Sequence, residues 1–132
     1  MMIGYKLINK NMRKIKNWFK NLERINGMLV IRNKVIPFPG YKAINLFGVL
    51  FVRGNASIDD ITLNHEKIHT AQIKEMLYVF FYVWYVIEWL IRLPFGNAYR
   101  NISFEREAYA NDDNLTYLET RRRFAFVKYM KI

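Results

Sequence analysis

The sequence predicts a small α+β domain, mostly helical, with a short β-hairpin directly before a helix that carries both histidines of the chain. Two short β-branched segments, residues 28–36 and 44–53, flank the turn-forming sequence Pro37-Phe-Pro-Gly40 and suit a hairpin within residues 28–56. Elsewhere apolar residues recur at spacings of three and four, which is typical of amphipathic helices. With 132 residues, the chain is long enough for a single domain with one core.

Residues 1–27 are predicted to form a basic amphipathic helix, with its periodic part over residues 5–26 and Gly27 as its C-cap. Seven lysines and arginines against one glutamate give this segment +6 of the net charge of +10. Such a balance favours an anionic membrane surface as partner, whereas nucleic acid is disfavoured because no nucleic-acid-binding motif accompanies the charge. A helix that covers the core with its charged face in water is an equally good interpretation.

The two histidines belong to the motif His65-Glu66-Lys67-Ile68-His69, which reads H-E-x-x-H. On a helix predicted over residues 57–75, with Ser57 as its cap, His65 and His69 lie on one face and can grip one metal ion. Glu66 beside them suits a general base that acts on a water molecule at the metal. A catalytic zinc takes three protein ligands and the chain has no cysteine, so the third ligand would be an aspartate, a glutamate or a water.

Glu105 is the best candidate for that third ligand. It lies on the otherwise apolar face of a helix predicted over residues 98–122, where a carboxylate costs free energy unless it is paired or coordinated. Glu107 points about 200° away from Glu105 on the same helix and is the weaker candidate. Salt bridges to nearby arginines, among them Arg106 and Arg121, are the alternative to metal binding for Glu105.

The two motifs together resemble zincin metallopeptidases whose third ligand is a glutamate on a later helix, including the CaaX-prenyl endopeptidases. In several such families this glutamate stands in E-x-x-A-D, and here Glu105 and Ala108 match while Tyr109 replaces the final aspartate. The resemblance covers about residues 61–72 and 103–112. It implies a zincin-like domain in which His65, His69 and Glu105 bind Zn²⁺.

The same resemblance implies peptide hydrolysis, with Glu66 as the catalytic base and a side chain that stabilises the oxyanion. Tyr109, Tyr99 and Tyr41 are candidates for that stabilising role, and the sequence does not choose among them. Asp112 lies on the same helix face as Glu105 and can replace the missing aspartate as a partner for a histidine.

Residues 76–95 form an apolar, aromatic block whose length suits a bilayer span, interrupted by Glu88 and Arg92 at i,i+4 spacing. A straight span would carry the chain too far from His69 for Glu105 to return to the same metal. We therefore expect a bend inside the block, giving a helical hairpin in the core or dipped into one leaflet. No glycine or proline between residues 76 and 93 marks the position of this bend.

Two functions follow from these observations. The first is a zinc-dependent metallopeptidase acting on a peptide or protein substrate. The alternative is a non-enzymatic membrane-associated or assembly protein, a class that includes phage and mobile-element components, in which the metal site is incidental or structural. The lack of cysteine and of an apolar signal segment favours a cytoplasmic location, with peripheral membrane association as an option.

Overall fold

The structure is a computed structural model that describes residues 9–14, 16 and 21–131. It contains both helices and a four-stranded sheet, which confirms the α+β class. The backbone divides into two compact units, Met1–Ala56 and Ser57–Ile132. The assignment of residues 1–132 to a single domain stays a prediction.

The first unit contains the sheet. Its strands are β1 (Leu22–Ile25), β2 (Met28–Asn33), β3 (Ala43–Leu46) and β4 (Val49–Arg53), in the order β1-β2-β4-β3. The β1–β2 and β3–β4 pairs are antiparallel, whereas β2 and β4 are parallel. Val30, Leu50 and Val52 are fully buried and alternate with less buried neighbours, as expected for a sheet with one covered face.

A hairpin within residues 28–56 precedes the histidine helix, as predicted, but β3 and β4 form it, so the predicted pairing of residues 28–36 with 44–53 as a hairpin is wrong. The segments 28–36 and 44–53 are joined through the parallel pair, and residues 44–53 are not one strand but parts of β3 and β4. Phe47 and Gly48 separate these strands, with φ angles of 54° and 85°. Two consecutive positive φ angles are typical of the type I′ turn that closes a tight hairpin, so Gly48 belongs to a turn.

The predicted helix over residues 5–26 is wrong at its C-terminal end. Residues 9–14 and 16 are helical, but residues 22–25 form β1. Asn26 and Gly27 have φ angles of 46° and 85° and connect β1 to β2, so Gly27 does not cap a helix. Asn-Gly is the preferred dipeptide for such a turn, and this local chemistry prevails over the helical spacing of the apolar residues. Residues 5–8, 15 and 17–20 of the predicted helix lie outside the described part of the chain.

The second unit is helical. Its elements are α1 (Asp60–Glu75), α2 (Val79–Arg92), α3 (Ala98–Asn101), α4 (Ser103–Asn111), α5 (Tyr117–Thr120) and a 3₁₀ helix (Ala125–Tyr129). A buried cluster holds α1, α2, α4 and the 3₁₀ helix together and consists of Ile73, Phe81, Ile102, Phe104 and Phe126. The cap of α1 is Asp59 rather than the predicted Ser57, because the Asp59 side chain accepts a hydrogen bond from the backbone N–H of Thr62 at 2.7 Å.

The bend predicted within residues 76–95 is present and separates α1 from α2. Leu77 and Tyr78 have φ angles of 52° and 62°, and the Tyr78 N–H donates to the Ile73 carbonyl at 2.8 Å. Positive φ angles at two bulky residues are unusual, and because neither residue is glycine, the sequence gives no signal for the position of the bend. Among the described residues, no helix has both the length and the apolar character needed to cross a membrane.

The continuous helix predicted over residues 98–122 is wrong. Ile102 is extended, with a ψ angle of 136°, and separates α3 from α4. The run Asn111-Asp-Asp-Asn114 ends α4, since these side chains favour turns over helix interiors. The tail after Arg123 forms the 3₁₀ helix.

Candidate metal centre

Helices α1 and α4 bring the three predicted ligands together. The Nε2 atoms of His65 and His69 are 3.1 Å apart, and each lies 3.3 Å from Oε2 of Glu105. All three side chains are buried, with 7%, 6% and 3% of their residue surfaces exposed. Within the described part of the chain, these residues lie close enough to bind a metal ion.

The Glu105 carboxylate is oriented as a ligand would be. Its Oε1 accepts a hydrogen bond from the Tyr85 hydroxyl at 2.9 Å, whereas its Oε2 is buried and has no hydrogen-bond donor. A buried carboxylate oxygen without a donor is costly, so it needs a positive charge beside it; protonated His69 supplies that charge in the metal-free protein, and a bound metal ion would supply it in the same place. In a tetrahedral site with metal–nitrogen distances of about 2.0–2.1 Å, neighbouring ligand atoms lie about 3.3 Å apart, close to the spacing of these three atoms.

Each imidazole ring has a hydrogen-bond acceptor beside its Nδ1 atom. Nδ1 of His65 lies 3.2 Å from Oδ2 of Asp112, and Nδ1 of His69 lies 2.8 Å from Oε1 of Gln72. An acceptor at Nδ1 places the ring proton there and leaves the Nε2 lone pair for a metal. The structure thus confirms Asp112 as the histidine partner that the sequence predicts.

Gln72 connects this centre to a second buried cluster. Its Nε2 donates to the Phe104 carbonyl and to Oε2 of Glu107, both at 3.0 Å. Glu107 is fully buried and also accepts from Arg121 and from the Tyr117 hydroxyl. Glu107 therefore serves the packing of α4, in line with its rank as the weaker ligand candidate.

The charges of the centre shift the titration of its groups. Burial alone would raise the pKa of Glu105, but the neighbouring His69 and His65 hold that pKa well below its usual range. Burial alone would lower the pKa of His69, but the Glu105 carboxylate, aided by Glu66, raises it to about 9. Burial raises the pKa of Glu66, although both imidazoles oppose the shift. The Glu66 carboxylate therefore lies within the electrostatic field of the three ligands.

Three tyrosines surround the centre. The Tyr109 ring lies 4.5 Å from the His65 ring, and Tyr109 is one of the groups that raise the pKa of Tyr99. Burial, and then the Glu105 charge, raises the pKa of both Tyr85 and Tyr99. Tyr41, the remaining sequence candidate, is 69% exposed and belongs to the other unit. Sequence reasoning missed Tyr85, because nothing distinguishes it from the other aromatic residues of its block.

Comparison with protein-family models, with curated proteins and with solved structures finds no match for this chain. The resemblance to zincin metallopeptidases therefore stays a prediction. What the site can do follows from the side chains that form it.

Proposed function

We propose that this chain is a zinc-dependent metallopeptidase with a zincin-like domain, in which His65, His69 and Glu105 hold Zn²⁺ and Glu66 transfers protons. Its substrate is a peptide or protein, and the reaction is hydrolysis of a peptide bond. The observation that carries the proposal is the spacing of three buried ligand atoms, one of which, Glu105 Oε2, has no hydrogen-bond donor.

The donor set favours zinc over the harder divalent ions. Two imidazole nitrogens and one carboxylate oxygen suit Zn²⁺, whereas Mg²⁺ and Ca²⁺ prefer sites made of oxygen. Three protein ligands with a fourth position open to water are typical of catalytic zinc, while structural zinc is closed by four. Bound zinc would supply a water of lowered pKa and would polarise the substrate carbonyl.

Glu66 is the group placed to move protons during hydrolysis. It directly follows the ligand His65 on α1, and burial raises its pKa above the usual range of a glutamate. A base of that kind takes the proton of the attacking water and then gives it to the amine nitrogen that leaves. Tyr109 and Tyr99 are the candidate donors to the oxyanion, since both belong to the tyrosine group around the ligands.

Metal analysis combined with a peptidase assay tests this proposal. The purified protein should contain about one zinc per chain, and His65→Ala should lose it. Glu66→Gln should keep the metal but lower the hydrolysis of a fluorogenic peptide library by about 10²- to 10⁴-fold. Glu119→Gln, the same change at an exposed glutamate of α5, should alter neither property.

Two results would contradict the proposal in different ways. Wild-type protein without stoichiometric zinc would remove the metal centre altogether. Zinc that is lost in His65→Ala, without hydrolysis of any library peptide, would leave a structural metal site and favour the non-enzymatic alternative.

A further inference from the structure

Helix α2 exposes an apolar surface to solvent. Every exposed residue from Leu77 to Phe95 is apolar or aromatic. We call this surface the outer face of α2, and its largest members are Val79, Phe80, Val83, Val86, Ile87, Trp89, Leu90, Ile91, Leu93 and Phe95. Large contiguous apolar patches on a folded protein indicate a binding surface.

The two charged residues of α2 point the opposite way. Glu88 and Arg92 are buried, with 6% and 5% exposed, and two nitrogens of Arg92 donate to Oε1 of Glu88 at 2.9 and 2.7 Å. Glu88 also accepts from the N–H and the hydroxyl of Ser103 at 2.9 and 2.6 Å. A helix at a water surface turns its charges outward and its apolar side inward. Helix α2 does the reverse, so its outer face suits an apolar medium.

The chemistry of this face favours lipid acyl chains over another protein as its binding partner. Protein interfaces carry a polar rim and about one hydrogen bond per 100–200 Å². Among the exposed side chains from Leu77 to Phe95, only the Tyr78 hydroxyl and the Trp89 indole can form a hydrogen bond. The binding partner of this face must therefore be one that needs almost no hydrogen bonds, and lipid acyl chains meet that condition.

The length of α2 and the net charge of the chain indicate how the protein would bind a bilayer. With 14 residues, α2 is about 21 Å long, shorter than the roughly 30 Å hydrocarbon core of a bilayer. Residues 57–132 contain ten basic and ten acidic side chains, so the whole net charge of +10 lies in residues 1–56. A chain with this charge is attracted to anionic headgroups, which favours an anionic bilayer over a neutral one as the partner.

We propose that the outer face of α2 inserts into one leaflet of an anionic lipid bilayer, with the helix lying in the plane of the interface. Tyr85 on the inner side of the same helix donates to the ligand Glu105. The metal centre would thus lie about one helix diameter, roughly 10–12 Å, from the lipid. This placement implies that the peptidase acts on peptide segments at a membrane surface, an implication that rests on the proposed function.

Vesicle binding by the full chain tests insertion separately from hydrolysis. Vesicles of phosphatidylcholine with phosphatidylglycerol should bind the protein in flotation, and vesicles of phosphatidylcholine alone should bind it more weakly. Lipids brominated in their acyl chains should quench tryptophan emission, and Trp89→Phe should remove most of that quenching. Neither measurement depends on zinc or on peptidase activity.

A matched pair of variants identifies the surface that inserts. Leu90→Glu on the outer face should weaken binding by about tenfold or more, because it places a carboxylate among acyl chains. Leu115→Glu makes the same change at an equally exposed leucine away from α2, 57% against 53% exposed, and should bind like wild type. Circular dichroism checks that both variants fold.

Three outcomes would overturn the proposal. The first is the absence of binding to either vesicle. The second is binding that 0.5 M salt abolishes and Leu90→Glu leaves unchanged, since headgroup attraction alone would then explain it. The third is a lipid-free dimer in sedimentation that Leu90→Glu dissociates, since a second copy of the chain would then cover the outer face.

Discussion

Removing the Tyr85 hydroxyl should weaken zinc binding without disturbing the packing around it. The Tyr85 ring packs beside Phe81 and Phe104, with ring centroids at 5.8 and 6.5 Å, so a phenylalanine can occupy the same position. The change deletes one hydrogen bond of 2.9 Å to Oε1 of Glu105. A hydrogen bond to a charged group contributes about 1.5–3 kcal/mol, which corresponds to a roughly 10- to 100-fold loss of affinity if the carboxylate is no longer oriented.

Competition with a chromophoric zinc chelator at fixed pH measures this loss directly. Tyr78→Phe, at a hydroxyl on the exposed side of the bend, is the matched control and should bind zinc like wild type. Thermal unfolding of the metal-free proteins should show that Tyr85→Phe remains folded. Equal affinities for Tyr85→Phe and wild type, or an equal loss in Tyr78→Phe, would refute the idea that Tyr85 orients the ligand.

Two further predictions concern stability. The pKa of His69 in the folded metal-free protein, raised to about 9 from 6.5, means that the folded state holds its proton more tightly than the unfolded chain does. Urea unfolding in a chelator should therefore show a free energy of unfolding that falls by roughly 3 kcal/mol as the pH rises from 6.5 to 9, and His69→Gln should remove most of this slope. Arg121→Met leaves the fully buried Glu107 without its cation and should cost about 3–5 kcal/mol, whereas Arg122→Met at an exposed neighbour should change stability by less than about 0.5 kcal/mol. A pH-independent unfolding free energy, or equal effects of the two arginine variants, would contradict these assignments.

The convergence of His65, His69 and Glu105 was predictable because its signals are local and chemical. The i,i+4 spacing of His65 and His69 fixes their common face once α1 forms, and a carboxylate on an apolar helix face needs a partner wherever it packs. That reasoning led to Glu105 and to Asp112, and the structure brings both to the histidines. That reasoning did not depend on the length of the helix that carries Glu105. The helix predicted over residues 98–122 was too long.

The sheet and the helix breaks were less predictable because they depend on contacts distant in sequence. Parallel pairing of β2 with β4 joins strands on either side of a loop, and no periodicity within one segment reveals it. The bend at Leu77 and Tyr78 lacks the glycine that normally marks left-handed backbone. Ile102 breaks the predicted long helix where Ser103 meets Glu88 of α2, a partner that only the folded chain supplies.

Helix α2 forms hydrogen bonds with α4 at two positions. Glu88 accepts a hydrogen bond from the first N–H of α4, at Ser103, and Tyr85, three residues before Glu88, donates to Glu105, two residues further along α4. The rotation of α4 about its axis, and with it the aim of the Glu105 carboxylate, is thereby set by the position of α2. Any force that shifts α2 should alter the fit of the ligand triangle, so docking on its far side and metal affinity should be energetically coupled.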